Sequence, residues 1–334
     1  AAKCRKVKNN FHGKLVLITG GLGFIGSALA HELVKLGAIV TILDSLIPKF
    51  GGNMHNIKGI SSKISLNISD MRDPTSLDVL VKDKDYIFHL AGQVSHGDSM
   101  RDPQTDLEVN CVSTMNLVES CRHYNPGAHL IYTSTRQVYG IPQSLPVQES
   151  HPVNPIDVNG INKLTGEYYH ILYDRTYGLR SSVLRLTNTY GPRQQIRNNR
   201  QGFIGIFIRQ ALKGETIKIF GDGSQVRDFN YIDDVVHALL SAAGNEKCYG
   251  NIYNLGSKKN YSLIQFVDIL KQITGVEFEI VPFPDDKKII DIGDYYGDYS
   301  LFNEDTGWSP KVDLIEGITR TIDFYNHYKK AYWS

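Results

Sequence analysis

Six short strand-like runs punctuate the first half of the chain, at 15–18, 39–43, 63–67, 86–90, 129–133 and 182–186. The first, Leu15–Val16–Leu17–Ile18, has no polar break, as expected of a strand covered on both faces of a parallel sheet. Between the runs, apolar residues recur at helical spacing near 24–36, 75–82, 105–124 and 157–177; in the first of these, Phe24, Ile25, Ala28, Leu29, Leu33 and Leu36 share a face. This alternation predicts an α/β fold, a Rossmann-type doubly wound parallel sheet with right-handed crossovers. Past Leu186 the pattern loosens. Helical patterns near 203–213, 232–242, 262–273 and 314–328 are separated by strand-like runs at 216–220, 251–254 and 277–283 and by Gly, Asn and Asp clusters. The expected organisation is a nucleotide-binding domain over 1–185 and a smaller mixed α/β substrate lobe over 186–334, with an approximate boundary across which segments can interleave.

Ligands of such a sheet sit at the carboxyl ends of its strands. The segments to examine are therefore Gly20–Gly26, Asp44, Asp70, Ala91–Asp98, Ser134–Gln137 and Thr187–Arg193. The glycines after the first run fit two spacings, Gly21-x-Gly23-x-x-Gly26 and Gly20-x-x-Gly23-x-x-Gly26. A strand, a glycine turn and a helix start together make a phosphate site from free amides and the helix dipole. Asp44 closes the second run, 18 residues past Gly26, where a carboxylate accepts from a ribose 2′-hydroxyl and repels a 2′-phosphate. The cofactor read from this stretch is NAD rather than NADP; the competing reading is a glycine-rich turn followed by a helix-capping Asp.

Composition narrows the class. The chain has 334 residues, 41% hydrophobic and 21% charged, with a net charge of +1, which gives no footprint for a nucleic-acid or anionic-membrane partner. The basic start, Lys3 to Lys8, reads as a solvated tail. No run approaches membrane-spanning length, and no apolar stretch follows the basic start as in a signal peptide. Cys4, Cys111, Cys121 and Cys248 have no metal-ligand spacing, so no metal is expected and a reducing, cytoplasmic setting is.

Several segments, in order, resemble the extended short-chain dehydrogenase/reductases, specifically the NAD-dependent nucleotide-sugar epimerase/dehydratase family: TGGLGFIG at 19–26, HLAGQVS at 89–95, YTSTRQVYG at 132–140, RLTNTYGPRQ at 185–194, RDFNYIDDV at 227–235 and TGWSP at 306–310. The run at 191–212 is most similar to the CDP-tyvelose (CDP-paratose) 2-epimerases, and UDP-glucose 4-epimerases form a second similar group. The resemblance implies that Gly20, Gly23, Phe24, Ile25 and Gly26 cradle NAD, that Asp70 meets the adenine amino group, and that Leu90, Ala91 and Gly92 pass beneath the cofactor. It implies a structural role for Asn110, which ties its helix to the sheet. Thr135 takes the place of the family hydroxyl that holds the reacting sugar oxygen. Ser95, Asn188, Arg193, Gln201 and Arg227 fall where a nucleotide-diphosphate sugar is bound, although Arg193 reads equally as a surface arginine. In the dehydratases an Asp-Glu pair follows the hydroxyl; here it is Arg136-Gln137, and neither can pass a proton to a leaving hydroxyl.

One position departs. The family's Tyr-x-x-x-Lys sets a phenol and a lysine on one helix face, where the phenolate acts as base. Here Lys163 is present and the tyrosine position is Asn159. An amide cannot be a general base. Either the base lies elsewhere, or the protein binds ligands without redox chemistry, or the asparagine was introduced, or another tyrosine (Tyr139, Tyr168 or Tyr169) swings in. His96 and a water held by Asn159 are the candidate substitutes, against the reading of His96 as a solvated loop residue. The resemblance thus implies an NAD-dependent nucleotide-sugar epimerase working through a transient keto-sugar, with Thr135, Lys163, Asn159 and His96 at the chemistry. The alternatives are a dehydratase or decarboxylase of the same family, or an inactive NAD and nucleotide-sugar binder. It also implies a homodimer through the helices near 105–124 and 157–177, using Leu107, Cys111, Leu117, Leu164 and Ile171.

Overall fold

The computed structural model describes residues 11–332; Lys3 to Lys8 and Cys4 lie outside the described residues. Seven strands make the main sheet. In chain order they are β1 (Leu15–Thr19), β2 (Ile39–Asp44), β3 (Ile64–Ile68), β4 (Tyr86–His89), β5 (His129–Thr135), β6 (Ser181–Leu186) and, after three strands of other sheets, β10 (Asn251–Asn254). The spatial order is β10-β6-β5-β4-β1-β2-β3, and every pairing is parallel. The order reverses between β1 and β4, so the crevice for a ligand opens above those two strands. Leu17 there pairs with Thr41 on one side and Ile87 on the other.

The apolar runs do what their lack of alternation implies. Val16, Leu17 and Ile18 are fully buried. Val16 and Ile18 pack with α1 (Phe24–Lys35) and the helix Ile232–Ala243 on one face. Leu17 faces the other way, toward Leu77 of α2 (Pro74–Leu80), Leu117 of α5 (Ser113–Tyr124) and Tyr173 of α6 (Val158–Tyr177). The long helix expected over 105–124 is α4 (Pro103–Leu107), a π turn at Glu108–Val112, and then α5. The π turn carries Asn110, whose side chain donates to Gln93 O at 3.0 Å and accepts from Gln93 N at 3.1 Å. That amide pair ties the helix to the loop after β4, the structural role expected of it.

The base of α6 is fixed by buried polar contacts. Arg185 on β6 donates to both oxygens of Glu167 at 2.9 and 2.6 Å, a bidentate pair strong enough to set helix rotation. Tyr132 stacks on His170 at 4.7 Å, and His170 meets His89 at 3.2 Å. Burial pushes both imidazoles down, His170 to about 3, so both are neutral near pH 7 and do not compete for the charge of Lys163 above them.

Two elements near the cleft are absent from the hydrophobic pattern. One is α3 (His96–Arg101), whose N-cap Ser95 accepts from Asp98 N at 3.2 Å. The other is β9 (Val226–Tyr231), which pairs with β7 (Asn188–Tyr190) and β11 (Asn260–Ser262). Its Arg227, Asp228 and Asn230 are polar yet buried: Asp228 accepts from Gly297 N at 2.9 Å and Asn230 donates to Gly256 O at 2.8 Å, while the buried Asn230 Oδ1 has no hydrogen-bond partner among the described residues. A third sheet pairs β8 (Ile217–Phe220) with β12 (Phe278–Val281).

Among the described residues Cys111, Cys121 and Cys248 are free thiols, and no helix is long and apolar enough to cross a membrane. The apolar face expected on α5 and α6 needs correction. Leu117 is fully buried in the core of its own chain and Leu164 packs against the Val138 and Tyr139 cluster. Leu107, at the end of α4, is exposed as expected, and the exposed large apolar side chains on α5 and α6 are Met115, Tyr124, Ile161, Tyr168, Leu172 and Tyr177.

Candidate active site

A single cleft of about 1720 Å³ runs along the carboxyl ends of the strands, larger than the roughly 300–1,000 Å³ of a site for one small ligand. At its β1 end, Gly20, Gly23, Phe24, Ile25 and Gly26 line the wall. Gly23 caps α1 without a side-chain hydrogen bond, which leaves the first-turn amides for an anion. Gly20 has φ +69, and a Cβ there would stand 2.8 Å from Ala91 Cα; one on Gly26 would run into Gly20 O. Gly21 behaves differently, because its missing Cβ would meet Ile42 in the sheet. Of the two glycine spacings, 20–23–26 shapes the cleft and Gly21 serves packing.

The floor follows. Leu90 N and Ala91 N both donate to Thr19 Oγ1 at 3.2 Å, and Gly92 leaves room for Asn110 Oδ1, 2.7 Å from where a Cβ would be. Asp44 accepts from Leu22 N at 2.9 Å and Leu46 N at 2.8 Å; burial raises its carboxyl pKa against those amides. Asp70 also lines the cleft and is paired with Arg72 at 2.7 Å, which holds its carboxyl below the usual range. Met71 and Arg72 join this wall.

Thr135 ends β5 at mid-cleft. Its Oγ1 accepts from Gln137 N at 3.2 Å, so its own proton is available to a ligand oxygen. Ser134, beside it, has a buried hydroxyl without a protein partner. Lys163 reaches the same region from α6, donating to Thr133 O at 3.0 Å and lying 4.8 Å over the Tyr132 ring. Burial lowers its ammonium to about 8, opposed by Asp106 and Glu167.

At the far end, Arg136 donates to Asn188 Oδ1 at 3.2 Å and keeps Nη1 buried without a partner. Arg227 pairs with Asp291 at 3.1 Å; burial, with Arg136 nearby, lowers it to about 10. Two guanidiniums held together in this way are stabilised by an anion. Gln201 lines the cleft and bridges Phe50 O at 3.1 Å and Gln195 N at 3.1 Å. Arg193 is a correction. It does not line the cleft; with φ +74 it turns toward the helix Leu314–His327, its guanidinium 5.7 Å from the Phe324 ring.

Asn159 serves the protein with its side-chain nitrogen. It is on the wall of the cleft, but its amide is used by the protein. Nδ2 donates to Gln93 O at 2.8 Å and to Asp106 Oδ2 at 3.2 Å. Asp106 is fully buried and takes its other donor from Asn162 at 2.8 Å. A donor committed to a buried carboxylate is a strut; both N–H groups of the amide are taken in this way, and only Oδ1 is left to face a ligand or water. His96 differs: it lines the cleft, its side chain is 35% exposed, and Nδ1 lies 2.9 Å from Asp157 Oδ2.

Residues 16–256 match the NAD dependent epimerase/dehydratase family. The chain belongs to that family. It is 35% identical to a UDP-glucose 4-epimerase of Mycolicibacterium smegmatis over 93% of this chain and 98% of the relative. It is 29% identical to a CDP-paratose 2-epimerase of Salmonella typhi over 92% and 98%. Among solved structures it resembles a UDP-glucose 4-epimerase of Thermotoga maritima bound to UDP-glucose, with a TM-score of 0.86 and 33% identity over 94% of this chain and 99% of the other. NAD is the cofactor of the family, and the uncapped first turn of α1 with its glycine cradle fits a dinucleotide pyrophosphate.

Within this family frame, sequence reading brings nearly all its candidates to one cleft and misses three contributors. Ser134 is legible only as the neighbour of Thr135. Arg136 stands out as a departure from the dehydratases, without a sign that it is buried beside Arg227. Asp157 carries a usable signal, an acidic residue three positions before Gly160 at a helix start; it caps α6 by accepting from Gly160 N at 2.6 Å. The strut role of Asn159 makes a prediction about stability. Asn159→Leu strips one donor from the buried Asp106 and one from Gln93 O, and calorimetry is expected to show a loss of roughly 1–3 kcal/mol. An unchanged melting temperature contradicts the strut.

Proposed function

We propose that the protein is an NAD-dependent nucleotide-sugar epimerase. One observation carries the reading: a single continuous cleft joins the glycine cradle of α1 to the Arg136 and Arg227 guanidiniums, with Thr135 and Lys163 between them. A dinucleotide pyrophosphate fits the first end, a sugar-nucleotide diphosphate the second, and the sugar falls at Thr135. The M. smegmatis and T. maritima relatives are UDP-glucose 4-epimerases, which supports a UDP-sugar among the substrates.

Bound NAD supplies a reversible hydride acceptor, through which a sugar alcohol becomes a transient ketone and returns with either configuration. The chain supplies the rest. Thr135 donates its hydroxyl proton to the reacting sugar oxygen. Lys163, fixed by Thr133 O, would hold the nicotinamide ribose and adds positive charge there. Asn188, Arg136 and Arg227 hold the diphosphate; planar guanidinium forks match phosphate oxygens. Elimination of water is disfavoured, because Arg136 and Gln137 cannot shuttle a proton to a leaving group.

The test is incubation of the protein with UDP-, dTDP-, CDP- and GDP-sugars, followed by chromatography and NMR. An epimer is expected at constant total nucleotide sugar, and Lys163→Ala is expected to lower turnover by at least about 10²-fold. Release of water or CO₂, or no turnover of any sugar with NAD bound, contradicts the reading. We further propose a homodimer in which α5 and α6 of two copies form a four-helix contact. The exposed Leu107, Met115, Ile161, Tyr168 and Leu172 support it. Light scattering at micromolar concentration is expected to give twice the chain mass; a monomer rejects the contact.

A further inference from the structure

We propose that His96 and Asp157 form a proton-transfer dyad, with His96 the general base of the reaction and Asp157 the residue that positions it. This rests on the epimerase reading and names the group that reading lacks. The need is set by Asn159, which has no titratable proton and whose amide is committed to Gln93 and Asp106.

Two separate elements build the dyad. His96 is the first residue of α3 and enters the cleft beside Ser95. Asp157 is the N-cap of α6, and its side chain is fully shielded from solvent. Oδ1 accepts from Gly160 N at 2.6 Å and Oδ2 accepts from Gln137 Nε2 at 2.9 Å, while His96 Nδ1 lies 2.9 Å from Oδ2, within ion-pair range but outside hydrogen-bond geometry, and has no other polar partner. Burial pushes this carboxyl up, but the contacts to His96, Gly160 and Gln137 outweigh it and hold the pKa below the usual range. The carboxylate is therefore ionised and has only acceptors to offer. Facing it, a neutral imidazole must carry its proton on Nδ1, which leaves the Nε2 lone pair on the side of the ring away from Asp157. Asp157 is in turn linked to the reacting centre: Gln137, which donates to Asp157 through its side chain, donates to Thr135 Oγ1 through its backbone.

The step balances with groups already named. The O–H bond of the sugar alcohol breaks and its proton passes to His96 Nε2; bound NAD⁺ would be the acceptor for the hydride of the same carbon. The ketone is reduced by the reverse movement, and His96 returns its proton to the new alkoxide. Asp157 stabilises the imidazolium formed between the two half-reactions and stays ionised throughout.

The experiment has a spectroscopic arm and a kinetic arm. In NAD-loaded protein labelled with ¹⁵N-histidine, long-range ¹H–¹⁵N spectra above pH 7, assigned by comparison with His96→Gln, are expected to show His96 as the Nδ1–H tautomer. Asp157→Asn keeps a good helix cap, with its oxygen toward the fixed Gly160 N–H and its amide toward His96. It is expected to switch His96 to the Nε2–H form and lower kcat by about 10²–10⁴-fold with KM little changed. His96→Ala is expected to lose a comparable factor and regain at least about tenfold on addition of free imidazole, which a merely structural histidine does not allow. An Nε2–H tautomer in the unaltered protein, or full kcat in His96→Gln, overturns the dyad. A sugar panel without turnover overturns the epimerase reading instead, and the tautomer spectrum still decides the dyad.

Discussion

The loops leaving β1 and β4 meet above the sheet with no space for a side chain between them. Gly20 approaches Ala91, and Gly26 approaches Gly20. This contact lets the first turn of α1 reach the crevice between two adjacent strands, and it sets how deep a dinucleotide can lie. Everything catalytic is measured from that depth. Thr135 stands at the end of the strand beyond β4, Lys163 reaches over Tyr132 from α6, and the Arg185–Glu167 pair keeps α6 from rotating away. A methyl group at Gly20 or Gly26 would separate the loops and displace the cofactor from all of them.

The buried carboxylate of Asp106 imposes the second constraint. Closed off from water, it needs donors, and Asn159 and Asn162 supply them. Position 159, which carries the phenol in the pattern this chain otherwise follows, is thereby given to structure. The proton chemistry is displaced about one helix terminus away, to a carboxylate that caps α6 and an imidazole that opens α3. The cap does two jobs with one side chain, since the oxygen that serves Gly160 leaves its twin for His96.

Much of this was legible in the chain because parallel strands announce themselves as unbroken apolar runs. Leu15–Ile18, Ile39–Leu43 and the helix beginning at Phe24 fall where periodicity puts them, and so do the glycines and Asp44. What periodicity could not show was polar structure that is buried. β9 is hidden because Arg227, Asp228 and Asn230 break the apolar pattern while being buried inside the protein. The helix at His96 is too short to have a period and is marked only by the Ser95-x-x-Asp98 start. Arg193 was misplaced because its motif fixes the position in the chain but not a backbone with positive φ, which turns the side chain to Phe324. Leu117 looked available for association because helical spacing does not say which apolar face the sheet has already taken.

The central claim is that the proton of the reacting hydroxyl belongs to His96 and not to position 159. A crystal structure of the protein with NAD and a nucleotide sugar that it turns over tests this most directly. The account predicts His96 Nε2 within about 3 Å of the hydroxyl that Thr135 also contacts, with Nδ1 still on Asp157 and the Asn159 amide still on Asp106. A sugar hydroxyl hydrogen-bonded to Asn159, with the imidazole turned out of the cleft, would contradict it.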